Sequence, residues 1–193
     1  MCGIFGFITN SPRSSELSRS ELDTGLKHIL HRGPDGSGTW VSPNGQIGLG
    51  HVRLSIIDLE TGEQPMKSND GRYILIFNGE IYNYLELKNE LGKELFRTKS
   101  DTEVVLRAYE RWGPRCVNRL RGMFSIAIWD IAEQKLFLAR DRFGIKPLYW
   151  AKTLNGFYFA SEIKALLPFL EHKQVNDAAL SDYFTFQFCF KMD

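Results

Sequence analysis

Cys2 sits where a thiol has an unusual opportunity. A small penultimate side chain lets the initiator Met1 be clipped, which leaves a free α-amine on the residue that carries the thiol. That amine has an ordinary pKa of roughly 7.7 to 8.0, near the pH at which a general base works best. Nucleophile and base would then share one residue, an established arrangement for cleaving amides. The plainer alternative is a small buried strand residue, because free cysteine packs as a hydrophobe. Arg53 carries a planar fork of donors that suits a carboxylate, against the alternative of a surface ion pair. Asn78-Gly79 follows an apolar run and reads locally as a hairpin turn. Ser100-Asp101-Thr102-Glu103 has the form of a capping box, which makes Asp101 part of a helix start.

Other reactive side chains suggest less. Cys2, Cys116 and Cys189 are widely spaced and odd in number, so they give neither a disulfide framework nor a CxxC zinc site. His28, His31, His51 and His172 make no metal-ligand pattern on one helix face, and no metal is assigned. The stretch 140–149, Arg-Asp-Arg-Phe-Gly-Ile-Lys-Pro-Leu-Tyr, resembles a phosphate site only superficially, since it lacks the spacing of a P-loop. A structural or interdomain role is expected for it.

The elements that must position these residues can be read from periodicity. A strand begins almost at the N-terminus, where large apolar and small residues alternate over 2–8. A helix is expected over 16–30, with Leu22, Leu26, Ile29 and Leu30 at helical spacing and Ser14 and Ser15 as caps. It stops before the turn chemistry of Pro34-Asp35-Gly36. Further strands are predicted over 38–41, 47–54, 73–77, 123–129, 135–139, 147–151 and 156–160, and helices over 85–95 and 102–112. Sheets with segregated helices imply an α+β layered fold.

Composition narrows the function classes. In a chain of 193 residues, 24 basic side chains against 23 acidic ones leave a net charge of +1, without the basic footprint of a nucleic-acid or anionic-membrane binder. With no nucleic-acid or membrane partner expected, the substrate should be small. No apolar run nears the roughly 18 residues of a transmembrane helix, and the N-terminus lacks a secretory pattern, so a cytoplasmic location is expected. The apolar, aromatic run 182–190 ends without a polar finish, which reads as a cut edge with a longer protein continuing past it.

Met-Cys-Gly-Ile-Phe-Gly at the start, His31-Arg32-Gly33-Pro34-Asp35, His51-Val52-Arg53-Leu54-Ser55-Ile56-Ile57-Asp58, Phe77-Asn78-Gly79-Glu80-Ile81-Tyr82-Asn83 and Ser100-Asp101-Thr102-Glu103 together resemble the class II glutamine amidotransferases. The stretch 140–149 and Ala160-Ser161-Glu162-Ile163-Lys164-Ala165-Leu166 are similar to the asparagine synthetase branch. The resemblance implies a four-layer αββα sandwich of the N-terminal-nucleophile hydrolase type, with two antiparallel sheets between helices. It implies an amidotransferase domain over 1–188, leaving 189–193 as a truncated or unassigned tail.

It also implies roles. Cys2 would attack the side-chain amide of glutamine. Asn78, through its side-chain amide, and Gly79, through its backbone N–H, would form an oxyanion hole, for which a fixed donor and a residue without Cβ are suited. Arg53 would hold the α-carboxylate, Glu80 and Asp101 the α-ammonium, and Leu54, Ser55, Ile56 and Ile57 the pocket edge through backbone groups. This domain would need no cofactor. In asparagine synthetases the ammonia passes to a second, covalently linked domain that uses ATP and magnesium, and the Ser-Gly-Gly-x-Asp-Ser motif of that domain does not occur in these residues. Acceptors other than aspartate, including sugars, stay open, as do a homodimer and a catalytically silent glutamine-binding module.

Overall fold

The computed structural model describes residues 2–54 and 62–187. Met1, Ser55, Ile56, Ile57 and Cys189 therefore lie outside the described residues. The strands are β1 Gly3–Thr9, β2 Gly36–Val41, β3 Ile47–Arg53, β4 Met66–Lys67, β5 Tyr73–Ile81, β6 Gly122–Asp130, β7 Lys135–Arg140, β8 Tyr149–Lys152 and β9 Gly156–Ala160. They form two antiparallel sheets, of order β2-β3-β1-β9-β8 and β4-β5-β6-β7. The helices are α1 Ser15–Lys27, α2 Tyr84–Leu91, α3 Asp101–Trp112 and α4 Asp177–Phe186.

Three apolar layers explain why the central strands are continuous hydrophobic runs rather than half-polar ones. Ile4, Leu49 and Phe159 of the first sheet meet Ile74, Ile76, Ala127 and Trp129 of the second. On the outer face of the first sheet, Phe5, Phe7 and Val52 pack against Leu22 and Leu26 of α1. On the outer face of the second, Leu75, Phe77, Ile126 and Ile128 pack against Leu87 of α2 and Val104, Val105 and Leu106 of α3. Alternation along β5, with Ile74 and Ile76 inward and Leu75 and Phe77 outward, is the ordinary period of two with both faces buried. The result is the four-layer αββα sandwich. Each fully buried side chain of this kind contributes roughly 1.5 to 3 kcal/mol by burial alone.

Several local details depart from the sequence reading. Helix α1 ends at Lys27 and the chain tightens into a 3₁₀ turn at Leu30–Arg32. Ser100 caps α3 by accepting the Thr102 N–H at 3.1 Å, but Glu103 does not close a reciprocal capping box. Its carboxylate instead accepts the N–H groups of Arg97 and Thr98, which ties the incoming loop to the helix. The two-residue strand β4 and helix α4, the latter capped by Asn176, were not foreseen. Asn78-Gly79 is not a hairpin turn. It lies inside β5, in register with Ser125 and Phe124 of β6, so the nonlocal ladder overrides the local turn preference of Asn-Gly. Among the described residues no helix is long and apolar enough to cross a membrane.

Candidate active site

The inter-sheet layer opens into a cavity at one end, and the pleat decides which side chains face it. Cys2 lies two residues before Ile4, His51 and Arg53 lie two and four after Leu49, and Asn78 lies two after Ile76. By the period of two, all four continue the inward faces of β1, β3 and β5 beyond the apolar packing. Cys2 also falls one step beyond the Gly3↔Val52 pair, opposite Arg53. These residues, with Leu54, Gly79, Glu80 and Asp101, line one cavity of about 330 Å³. Of the residues expected from sequence, every one that is described reaches this space.

Cys2 is partly exposed, and the Leu54 N–H lies 3.4 Å from its Sγ. The Cys2 carbonyl accepts from Arg32 Nε at 2.9 Å. Cys116 is a different thiol: it is fully buried, and burial pushes it up to about 12, where almost no thiolate forms at neutral pH.

Asn78 is 1% exposed, and its Nδ2 has no hydrogen-bond partner among the described residues. Such a donor costs roughly 1 to 3 kcal/mol when left unmade, so a buried orphan facing a cavity calls for a ligand that accepts from it. The neighbouring backbone points the same way. Phe77 N–H donates to Gln64 Oε1 at 2.6 Å and Ile81 N–H to Asp101 Oδ2 at 3.0 Å. Successive N–H groups of a strand alternate sides, so the Gly79 N–H leaves the same edge between them, beyond the end of the β4 ladder at Leu75. A Cβ at Gly79 would stand 2.4 Å from the Met123 carbonyl oxygen, so only glycine allows β5 and β6 this approach.

Electrostatics divide the cavity wall. Burial raises the Asp101 carboxyl above the ordinary carboxylate range, helped by the nearby Glu80 charge and partly offset by the Ile81 and Thr102 N–H groups. Glu80 is exposed at the rim. His51 is buried, and desolvation together with the Arg53 charge lowers it to about 3, which keeps the imidazole neutral; its ring also bonds the Phe77 backbone. Its Nε2 has no partner among the described residues.

His51 and Gln64 were missed as cavity residues. His51 was visible only as part of a motif, and Gln64 carried no local signal because its partners are Phe77 and Thr102. The stretch 140–149 has the structural role expected of it and also reaches the site. Burial opposes the charge of Asp141, but the backbone N–H groups of Lys146, Ile145, Phe124 and Phe143 outweigh that and hold it below the usual range. The loop so folded brings Ile145 and Lys146 to the cavity wall.

A family model described as the glutamine amidotransferase domain matches residues 1–192. The chain belongs to this family. Among its relatives, asparagine synthetase [glutamine-hydrolyzing] 1 of Bacillus subtilis (strain 168) is 42% identical over 191 residues, 97% of this chain and 30% of that protein. Asparagine synthetase [glutamine-hydrolyzing] 2 of the same organism is 46% identical over 167 residues, 86% of this chain and 22% of that protein. Amidase chry2 of Gibberella zeae is 44% identical over 179 residues, 88% of this chain and 27% of that protein. The chain thus spans less than a third of the length of these relatives. Glutamine phosphoribosylpyrophosphate amidotransferase from B. subtilis superposes with a TM-score of 0.71 at 24% identity, over 86% of this chain and 43% of that one, which shows the same fold.

Proposed function

We propose that this amidotransferase domain hydrolyses the side-chain amide of glutamine through a thioester on Cys2. The observation that carries the reading is the buried Asn78 Nδ2, without a hydrogen-bond partner among the described residues, facing the same cavity as the Cys2 thiol. With Met1 removed, the thiol gives its proton to the Cys2 α-amine and the sulfur attacks the amide carbon. The oxygen becomes an oxyanion between Asn78 Nδ2 and the Gly79 N–H, donors that are already in place and cost no reorganisation. The carbon–nitrogen bond breaks as the α-ammonium returns the proton, and ammonia leaves. Water then attacks the thioester, giving glutamate and the free thiol. Arg53 holds the substrate carboxylate, Glu80 and Asp101 its ammonium, and Leu54 with Ser55, Ile56 and Ile57 the pocket edge.

The ammonia serves ATP-dependent asparagine synthesis in a covalently linked synthetase domain, a reading supported by the asparagine synthetases among the relatives. ATP and magnesium belong to that domain, and this one works without a cofactor, in the cytoplasm. The test is ammonia and glutamate release from glutamine by the purified chain without ATP, compared with Cys2→Ala. Equal release by both proteins would remove Cys2 as the nucleophile, and no release by wild type that still binds glutamine would replace this reading with a binding module.

A further inference from the structure

The His31-Arg32-Gly33-Pro34-Asp35 segment lies against two of the residues that the proposed reaction needs. Arg32 Nε donates to the Cys2 carbonyl at 2.9 Å, and Arg32 Nη1 donates to Glu162 Oε1 at 2.8 Å. One planar guanidinium therefore bridges the nucleophile's backbone and a carboxylate 130 residues away in sequence. His31 Nε2 also meets Glu162 Oε1 at 3.0 Å, and Lys164 Nζ meets Oε2 at 3.0 Å. Burial works against the Glu162 charge, but the hydrogen bonds from Arg32, Lys164 and His31 more than offset it and hold the carboxyl at about 2. It is an anion throughout the range in which an α-amine could act as base.

The same segment fixes the facing strand. The Asp35 N–H donates to the Arg53 carbonyl at 3.0 Å, and Pro34 bridges Arg53 in parallel. Gly33 is obligatory for this, because a Cβ there would stand 2.4 Å from the Val52 carbonyl carbon. Next to Glu162, Ser161 grips β1 from its own side: its Oγ accepts the Ile4 N–H at 3.0 Å and its N–H donates to the Ile4 carbonyl at 2.9 Å.

A terminal residue that must present an α-amine and a thiol together has one anchored flank only, so chain ends fray unless tied down. We propose that Glu162 is a positioning residue that acts through Arg32: by holding the guanidinium against the Cys2 carbonyl, it fixes the orientation in which the Cys2 amine and thiol enter the cavity. The proposal rests on the glutaminase reading for its catalytic meaning, but its geometric content is independent of the substrate.

The test combines Glu162→Ala, Glu162→Gln, Arg32→Lys and the double variant Arg32→Lys with Glu162→Ala. Each is read by thermal midpoint, by the pH profile of Cys2 alkylation with iodoacetamide, and by glutaminase kcat and KM. Glu162→Ala is expected to lower kcat roughly 10- to 100-fold with KM little changed, as misplacement of a reacting group does. It should also shift the alkylation profile. Glu162→Gln, which still accepts from Arg32, should recover much of the loss. The double variant should be no worse than Arg32→Lys alone, since residues in one network are non-additive. A fall in thermal midpoint with unchanged kcat and alkylation profile would overturn the proposal, as would additive losses in the double variant. If Glu162→Ala does not fold, Glu162→Gln and Arg32→Lys decide by the same readouts. Absence of glutaminase in the wild type would sink the functional reading alone, and the alkylation profiles would still decide the positioning role.

Discussion

The Asp101 carboxylate accepts the Ile81 backbone N–H at 3.0 Å, so the first residue of α3 is fastened to β5 three residues beyond Asn78. One acid thus has two duties, a hydrogen bond within the fold and a charge facing the cavity. They can be separated. Asp101→Asn keeps an acceptor for Ile81 and loses the charge, so it should weaken glutamine binding by about 1.5 to 3 kcal/mol with little change in thermal midpoint. Asp101→Ala should lose both affinity and stability. Calorimetric titration and thermal unfolding on the same preparations check this, and unchanged affinity in Asp101→Asn would disconnect the carboxylate from the substrate.

Asn78 should behave in the opposite way to a structural residue. Its Nδ2 makes no hydrogen bond among the described residues, so Asn78→Ala removes no such contact of that donor. We expect kcat to fall about 100- to 1,000-fold, with glutamine affinity and thermal midpoint nearly unchanged. A near-normal kcat would rule out the oxyanion role.

Gly79 cannot be tested for catalysis by adding a methyl group. In Gly79→Ala the new Cβ would stand 2.4 Å from the Met123 oxygen and 2.8 Å from Phe124 Cα, both backbone atoms. Overpacking of this kind costs roughly 1 to 3 kcal/mol, and urea unfolding should show it as a lower midpoint at unchanged slope.

His51 predicts a specific dependence of stability on pH. Its folded-state pKa, lowered from 6.5 to about 3, lies below the unfolded value, so unfolded chains bind the additional proton between those two values. The stability linked to this ring is therefore fully present above pH 6.5 and drains away as pH falls toward 3. His51→Gln should be less sensitive to acid over pH 6.5 to 4.5 than wild type. Parallel curves of unfolding free energy against pH for the two proteins would contradict the assignment.

Removal of Met1 should decide activity. Protein fractions sorted by intact mass should hydrolyse glutamine only where Met1 is absent, because a preceding residue converts the basic amine into an amide. A glutamine analogue with a γ-electrophile should label Cys2 and leave Cys116 unmodified, as expected from its burial and raised pKa. Equal turnover with Met1 retained would eliminate the amine as base.

Much of the site is legible in the sequence, because chemistry resides in residue type. A thiol at position 2, a guanidinium at Arg53 and carboxylates at Glu80 and Asp101 are properties of the chain, and near-continuous apolar runs marked most strands because both faces of each sheet are packed. Tertiary structure decided what depends on distant partners. Asn78-Gly79 became mid-strand only because β6 supplied a ladder about 45 residues away, whereas the local preference of that pair is a turn. Glu103 turned toward Arg97 and Thr98 rather than Ser100, a choice between competing donors that spacing cannot rank. The cavity role of Gln64 and the bridge from Glu162 through Arg32 to Cys2 join residues 13, 130 and 30 positions apart. The sequence determined which groups could react, and the packing of two sheets determined which of them meet, since hydrogen bonds and charge act over a few ångströms in space regardless of distance along the chain.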